Sequence, residues 1–150
     1  MARPVYRARA AVLALGLLSS AVHAQARAHV EEKPMKIRLT AGAKVLTGTL
    51  LDNATARDFA GLLPLTLTLT DYAATEKVSD LPRRLSTKGA PSGTTPSAGD
   101  IAYYAPWGNL ALFHKGFSHS SGLIKLGTLD GGIEVLRAAG PLEVKVELMK

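Results

Sequence analysis

The 150-residue sequence lacks cysteine and has few aromatic residues, namely one Trp, four Tyr and three Phe. Without cysteine, thiol catalysis, disulfides and cysteine-ligated zinc or iron–sulfur sites are excluded, and so is a lipoprotein anchored through an N-terminal cysteine. Long hydrophobic runs are also missing, because the apolar stretch at residues 10–22 covers only 13 residues. Roughly 20 residues are needed for a helix to cross a bilayer, so this stretch does not predict a membrane span.

The N-terminus has the three parts of a secretory signal peptide. Three arginines and no acid precede the apolar stretch, and small residues follow it at 21–24, Ala-Val-His-Ala. A basic segment, a short apolar segment and a small-residue cleavage site together predict export. We therefore expect residues 1–24 to be removed, by cleavage after Ala24 or Ala26, and the mature protein to be periplasmic or secreted without membrane attachment.

The net charge is less basic than it first looks. The full chain has 18 Lys and Arg against 12 Asp and Glu, a formal charge of +6. Removing residues 1–24 takes away three arginines and no acid, which leaves 15 against 12 and a charge of +3. No stripe of basic residues interleaved with aromatic ones remains, so we predict no nucleic-acid partner.

The mature chain is predicted to form one mainly β domain. Residues 25–34 are polar and predict a flexible lead-in, and residues 35–150 are long enough for one core. Two short helices are predicted, one over residues 52–63 capped by Asn53 or Thr55, and one capped by Asp130. Seven or eight short strands with both ends of the domain in strand favour a small closed β-barrel. The predicted strands cover 35–40, 44–51, 65–70, 99–105, 109–115, 123–129 and 142–148, with a long loop at 86–99.

Residues 99–113 concentrate the aromatic side chains around a Pro-Trp-Gly-Asn turn. Such a cluster is typical of a ligand groove and equally of a β-sheet core. Adjacent strand residues point to opposite faces, so one of Tyr103 and Tyr104 is expected in the core and the other at the surface. The candidate ligand-binding residues are therefore Tyr103, Tyr104, Trp107 and Phe113, flanked by His114 and Arg57.

Other chemical motifs are weak. Only His114 and His119 lie inside the predicted fold, and no acid occurs between Asp100 and Asp130 to complete a set of metal ligands. The string Gly-Phe-Ser-His-Ser from Gly116 lacks the final glycine of a nucleophile elbow, and a barrel lacks the strand–turn–helix that this motif requires. We therefore predict no metal and no cofactor, and the catalytic residues of any activity are left unassigned.

Several strings resemble bacterial cyclophilin-like fold proteins, over about residues 35–148. They include Leu-Asp-Asn-Ala-Thr-Ala-Arg-Asp-Phe at 51–59 and Gly-Asp-Ile-Ala-Tyr-Tyr-Ala-Pro-Trp-Gly-Asn at 99–109. The resemblance implies a small barrel with helices at its ends, in a family without a common known activity. The Phe-His-Arg, Gln-Gly-Gly-Asp and Trp-Leu-Asp strings of true cyclophilins are absent, so no isomerase residue is carried over.

Three functions follow as expectations from the residues and the resemblance. The first is a module that binds a peptide or a small molecule. The alternative is a peptidyl-prolyl isomerase with different active-site residues, in which Arg57, Arg83 or Arg84 would approach a groove. A third is an accessory to a redox protein, implied only by related domains that occur beside flavodoxins.

Overall fold

Eight strands close into an antiparallel barrel in the computed structural model, which describes residues 33–150. The predicted signal peptide, and the predicted lead-in up to residue 32, lie outside the described residues. These eight, together with β5 and β8 of a separate two-stranded sheet, are β1 (Met35–Ala41), β2 (Lys44–Leu50), β3 (Leu65–Tyr72), β4 (Glu76–Asp80), β5 (Gly93–Thr94), β6 (Asp100–Tyr104), β7 (Asn109–Phe113), β8 (Ser120–Ser121), β9 (Leu123–Leu129) and β10 (Leu142–Leu148). The helices are α1 (Ala54–Ala60) and a 3₁₀ helix (Ile133–Arg137).

The hydrogen-bonded order around the barrel is β1-β10-β3-β4-β7-β6-β9-β2, and β2 pairs again with β1. The predicted mainly β closed barrel is therefore confirmed. The last seam is short, since β2 and β9 pair only from Gly48 opposite Leu129 to Leu50 opposite Gly127. At Gly127 an added Cβ would overlap the backbone of Thr49 and Leu50. Glycine at this position therefore lets the two strands approach closely enough to close the barrel.

Alternation along the strands divides the buried side chains into two clusters. Ile101 and Tyr103 of β6 belong to the large cluster that fills the barrel interior, whereas Ala102 and Tyr104 belong to a smaller one. Because successive residues of a strand face opposite sides of the sheet, the smaller cluster lies on the outer face of the barrel. It consists of Ala102, Ala111, Phe113 and Leu123, with Val78 and Tyr104 packed against it.

One charged side chain faces the interior. Lys77 of β4 is 0% exposed, and its Nζ donates to Asp71 Oδ1 at 2.7 Å and to the Gly140 carbonyl at 2.6 Å. The hydrogen bond from Lys77 holds the pKa of Asp71 below its usual value, helped by the Gly140 N–H. The pair joins β3 and β4 to the turn that precedes β10, and it satisfies an ammonium that burial alone would destabilise.

The two helices differ from their predicted forms. Helix α1 is capped by Asn53, whose Oδ1 accepts from the Ala56 N–H at 2.8 Å, and it ends at Ala60. The second helix is a 3₁₀ helix that begins after Gly132, not after Asp130. Asp130 instead accepts hydrogen bonds from Lys36, Thr47 and Thr49 across the barrel wall. These bonds hold the pKa of Asp130 below its usual value, and they occupy the carboxylate that the prediction assigned to the cap.

The predicted 86–99 loop contains a strand that has no periodic signal. Strand β5 pairs with β8 in a separate two-stranded sheet, Gly93 opposite Ser121 and Thr94 opposite Ser120. A strand of two residues is too short for alternation to reveal. In the part of the chain that the structure describes, no helix is long and apolar enough to span a membrane.

Candidate functional site

A cavity of about 370 Å³ lies on the outer face of the barrel, over the smaller hydrophobic cluster. Strands β4, β7, β6 and β9 form its base, and the end of β3 and the chain around β8 form its sides. We call it the aromatic cavity. Its lining residues are Tyr72, Ala73, Glu76, Val78, Tyr104, Trp107, Asn109, Phe113, Phe117, Ser120, Ser121 and Leu123.

Trp107 stands at the rim of the aromatic cavity between two tyrosines. Its ring makes edge-to-face contacts with Tyr72 at 5.4 Å and with Tyr104 at 5.2 Å between ring centroids. The β6–β7 turn fixes this position, because the N–H groups of Trp107 and Gly108 both donate to the Tyr104 carbonyl. Gly108 has a φ of +69°, a conformation that glycine adopts at little cost. The indole is nevertheless 54% exposed, so it offers free ring surface to a ligand.

The loop side of the aromatic cavity is tied to the β5–β8 sheet. Phe117 is an exposed aromatic residue whose N–H donates to the Pro96 carbonyl at 3.2 Å. Ser120 and Ser121 of β8 contribute hydroxyl groups to the same side. The two-stranded sheet therefore holds a polar and aromatic edge against the barrel wall.

Glu76 provides the only lining side chain that is charged at neutral pH. Its Oε2 accepts a hydrogen bond from the Thr75 hydroxyl at 2.9 Å, and among the described residues it forms no ion pair. Burial raises the pKa of the Glu76 carboxyl, and the Thr75 hydrogen bond opposes this only in part. In register, Glu76 lies opposite Tyr72 on one side and Phe113 on the other. The carboxylate therefore sits between two aromatic side chains.

Asn109 carries a buried oxygen without a hydrogen-bond partner. The residue is 5% exposed and lines the aromatic cavity, and its Oδ1 has no partner within the described part of the chain. No other buried side-chain oxygen or nitrogen of residues 33–150 is left unpaired. Buried polar groups are nearly always hydrogen-bonded, so each exception calls for an explanation.

The six candidate residues predicted from sequence separate into two groups. Tyr104, Trp107 and Phe113 line the aromatic cavity together. Tyr103 lies in the barrel interior, where its hydroxyl accepts from the Leu85 N–H at 3.1 Å. His114 and Arg57 are not among the lining residues.

His114 and Arg57 lie among other charged groups, away from the lining of the aromatic cavity. The pKa of His114 is lowered by its partial burial and then by the nearby charge of Arg137, and the residue follows the last residue of β7. Arg57 is exposed on α1 and pairs with Asp52. Arg83 pairs with both oxygens of Asp58, at 2.7 and 3.0 Å. None of these cations faces the aromatic cavity.

Sequence reasoning missed four lining residues that define the chemistry of the aromatic cavity: Tyr72, Glu76, Asn109 and Phe117. The two aromatic ones lie outside residues 99–113, Glu76 lies in no motif, and Asn109 was considered only as part of the Pro-Trp-Gly-Asn turn. The two polar residues, Glu76 and Asn109, alternate with Lys77 and Leu110, which face the opposite side of the sheet. This alternation was the available signal, but it identifies the cavity only when the strand pairing is known. Among residues 33–150 there is no group of three His, Asp or Glu side chains placed to hold a metal ion.

Comparison with known proteins agrees with this architecture. The solution structure of a hypothetical protein from Archaeoglobus fulgidus is similar, with a TM-score of 0.61 and 18% sequence identity. The match covers 79% of this chain and 99% of the archaeal one, and at this identity it shows the fold alone. No curated protein matches the sequence significantly. The model of the Cyclophilin-like family matches residues 39–147, which is most of the chain. The chain therefore belongs to the Cyclophilin-like family.

Proposed function

We propose that this protein is an exported binding module that holds a small molecule or a short peptide segment in the aromatic cavity. The single observation that carries the proposal is the exposed aromatic surface of that cavity, where Trp107 is 54% exposed between Tyr72 and Tyr104. Exposed apolar surface of this kind, rimmed by polar residues, marks binding sites.

The shape and lining of the cavity support the same proposal. A volume of about 370 Å³ is within the range of pockets that hold small ligands, and such pockets combine aromatic walls with a few polar groups. Trp107, Tyr104 and Phe117 provide the walls, while Glu76 provides a polar contact at the base. Aromatic surface that is already fixed by turns and strands loses little conformational entropy when a ligand binds.

Prolyl isomerisation is supported less well by the same geometry. An isomerase of the cyclophilin type needs a guanidinium that donates to the prolyl nitrogen as the amide loses resonance. The described lining contains no arginine. Arg84 lies near the β6–β7 turn, but its guanidinium donates to the Ala105 carbonyl at 2.7 Å. We expect no acceleration of a proline-peptide reaction by micromolar protein in a chymotrypsin-coupled assay. Acceleration that is lost in Arg84→Ala would overturn this ranking.

Export is proposed from the N-terminal sequence pattern. The arginines, apolar stretch and small residues of positions 1–24 together support a cleaved signal. N-terminal sequencing of protein recovered from the periplasm or medium should begin at residue 25 or 27. Recovery of the uncleaved chain in the cytosol would contradict the proposal.

Binding can be tested without knowing the ligand. Protein purified from the exported fraction is denatured, and the released molecules are identified by mass spectrometry; a fragment set is then screened by amide chemical-shift perturbation. We expect hits to shift the amides of Glu76, Trp107 and Asn109. Tyr104→Ala should abolish these shifts, whereas Tyr103→Phe, in the barrel interior, should keep them. Hits that shift amides elsewhere, or an absence of hits, would refute the proposed site.

A further inference from the structure

The charge and register of the aromatic cavity restrict the chemistry of its ligand. Glu76 is the one lining residue charged at neutral pH, and no lysine, arginine or histidine lines the cavity within residues 33–150. A half-buried carboxylate that lacks an ion pair is destabilised by desolvation, and a cation restores what it has lost. The raised pKa of Glu76 reports this desolvation. The cavity is therefore complementary to a positively charged ligand.

The aromatic residues beside Glu76 strengthen this preference. Directly opposed residues on neighbouring strands place their Cβ atoms roughly 5 Å apart, and Glu76 is opposed by Tyr72 and Phe113. A cation held by the carboxylate is thus within reach of two rings. The negative face of an aromatic ring attracts an ammonium group, most strongly where water is excluded.

Asn109 lies at the other end of the cavity from Glu76. In register, Glu76 pairs with Phe113 and Asn109 pairs with Asp80, so the two polar residues are four positions apart along the sheet, or roughly 13 Å at about 3.3 Å per residue. The Asn109 Oδ1 is buried beneath the cavity surface, where a ligand does not reach it. Glu76 therefore anchors the charged end of a ligand, and the apolar lining accommodates an alkyl segment.

We propose that the aromatic cavity binds an elongated organic cation, with a protonated primary amine at Glu76 and its alkyl segment along the apolar lining. This inference rests on the proposed binding function and names its ligand class. A free aliphatic amine has this chemistry, and so does a lysine side chain. Tyr72, Phe113 and Trp107 surround the alkyl segment.

A matched series of eight-carbon probes tests the charge. Octylammonium, octyltrimethylammonium, octanol and octanoate are titrated while the fluorescence of Trp107, the single tryptophan of the chain, and the amide shifts are followed. We expect octylammonium to bind most tightly and octanoate least. Octyltrimethylammonium should bind more weakly than octylammonium, since it has no N–H to donate to the Glu76 carboxylate.

Single substitutions test which residues determine the affinity for octylammonium. Glu76→Gln should weaken octylammonium binding by on the order of tenfold or more, the effect expected for a charge-assisted hydrogen bond. Glu143→Gln removes the same charge from an exposed position of β10 that does not line the cavity, and it should leave affinity unchanged. Asn109→Leu should leave octylammonium binding in place, because the Asn109 Oδ1 is buried beneath the cavity surface. Thermal unfolding of each variant confirms that it is folded.

The outcomes separate this inference from the proposed function. If octanol and octanoate bind as well as octylammonium, or if Glu76→Gln has no effect, the cavity binds ligands but the cation assignment is wrong. If no probe perturbs Trp107 or the cavity amides, the proposed function fails as well. Acetylated Gly-Lys-Gly amide and its Gly-Gln-Gly counterpart distinguish the two sources. Lysine-dependent binding tighter than that of octylammonium identifies a peptide, and the reverse identifies a free amine.

Discussion

Replacing Asn109 by leucine should stabilise the protein. Asn109 is 5% exposed, pairs with Asp80 and Tyr104 in the sheet, and leaves its Oδ1 without a partner. Leucine has a similar branched shape and no polar atoms, so it removes the unpaired oxygen without opening a void. Most substitutions at buried positions destabilise a protein, which makes the opposite sign informative.

The magnitude follows from the cost of the unpaired atom. A buried acceptor without a partner costs roughly 1–3 kcal/mol, and imperfect packing of the leucine methyls offsets part of the gain. We therefore expect the free energy of unfolding to rise by about 1 kcal/mol. For a domain of this size that corresponds to an increase in Tm of roughly 3–5 °C.

The assay compares two asparagines, one with an unpaired side-chain oxygen and one whose side chain is fully hydrogen-bonded. Thermal and urea unfolding are measured for Asn109→Leu and for Asn53→Leu. The Asn53 side chain is fully used, because it accepts from the Ala56 N–H at 2.8 Å and donates to the Lys125 carbonyl at 3.2 Å. Asn53→Leu should therefore destabilise by about 1–2 kcal/mol, as the loss of a helix cap does. Equal destabilisation by both variants would refute the reasoning, because it would show that Asn109 Oδ1 is hydrogen-bonded in the folded protein.

Three further changes have expected results of their own. Tyr103→Phe should lower the free energy of unfolding by about 1–2 kcal/mol, because it leaves the buried Leu85 N–H unpaired. A urea titration checks this, and an unchanged midpoint would contradict the hydrogen bond between Leu85 and Tyr103. Gly127→Ala should prevent barrel closure, since its Cβ would overlap the β2 backbone; loss of cooperative unfolding by circular dichroism is expected, and wild-type Tm would disprove it. The hydrogen bond from Lys77 lowers the pKa of Asp71 from its ordinary value of 3.8. The pair therefore stabilises the fold fully at a pH above 3.8, and this contribution is lost as the pH falls through the lowered pKa of the folded state. At acidic pH, the unfolding midpoint should therefore decrease less steeply with falling pH in Asp71→Asn than in the wild type, and parallel curves would exclude the linkage.

The sequence predicted the barrel because its strands alternate. Residues 123–129 and 142–148 were predicted with the bounds that the structure shows, since each strand has one face in the core and one outside. The helices were predicted less well. Asp130 has the residue type of an N-cap, but the barrel offers it three donors from β1 and β2, and these long-range partners decide its role.

The aromatic cavity was only half visible in the sequence. Tyr104, Trp107 and Phe113 share one stretch of chain, so their proximity could be read directly. Glu76 and Asn109 come from different strands, and only the β4–β7 register places them at the two ends of one cavity. The choice between Tyr103 and Tyr104 was likewise left open by alternation, because a period of two says that they face opposite sides but not which side is the core.

By itself, the sequence determined the strand pattern, the export signal that we propose and the absence of cysteine chemistry, since these depend on local composition and periodicity. The tertiary structure alone decided which polar atoms are paired and which are not. Hydrogen bonding and desolvation depend on neighbours that are distant along the chain, as the buried Lys77 ammonium with Asp71 and Gly140 and the unpaired Asn109 oxygen both show. Both states depend on strand pairing and cannot be read from the local sequence.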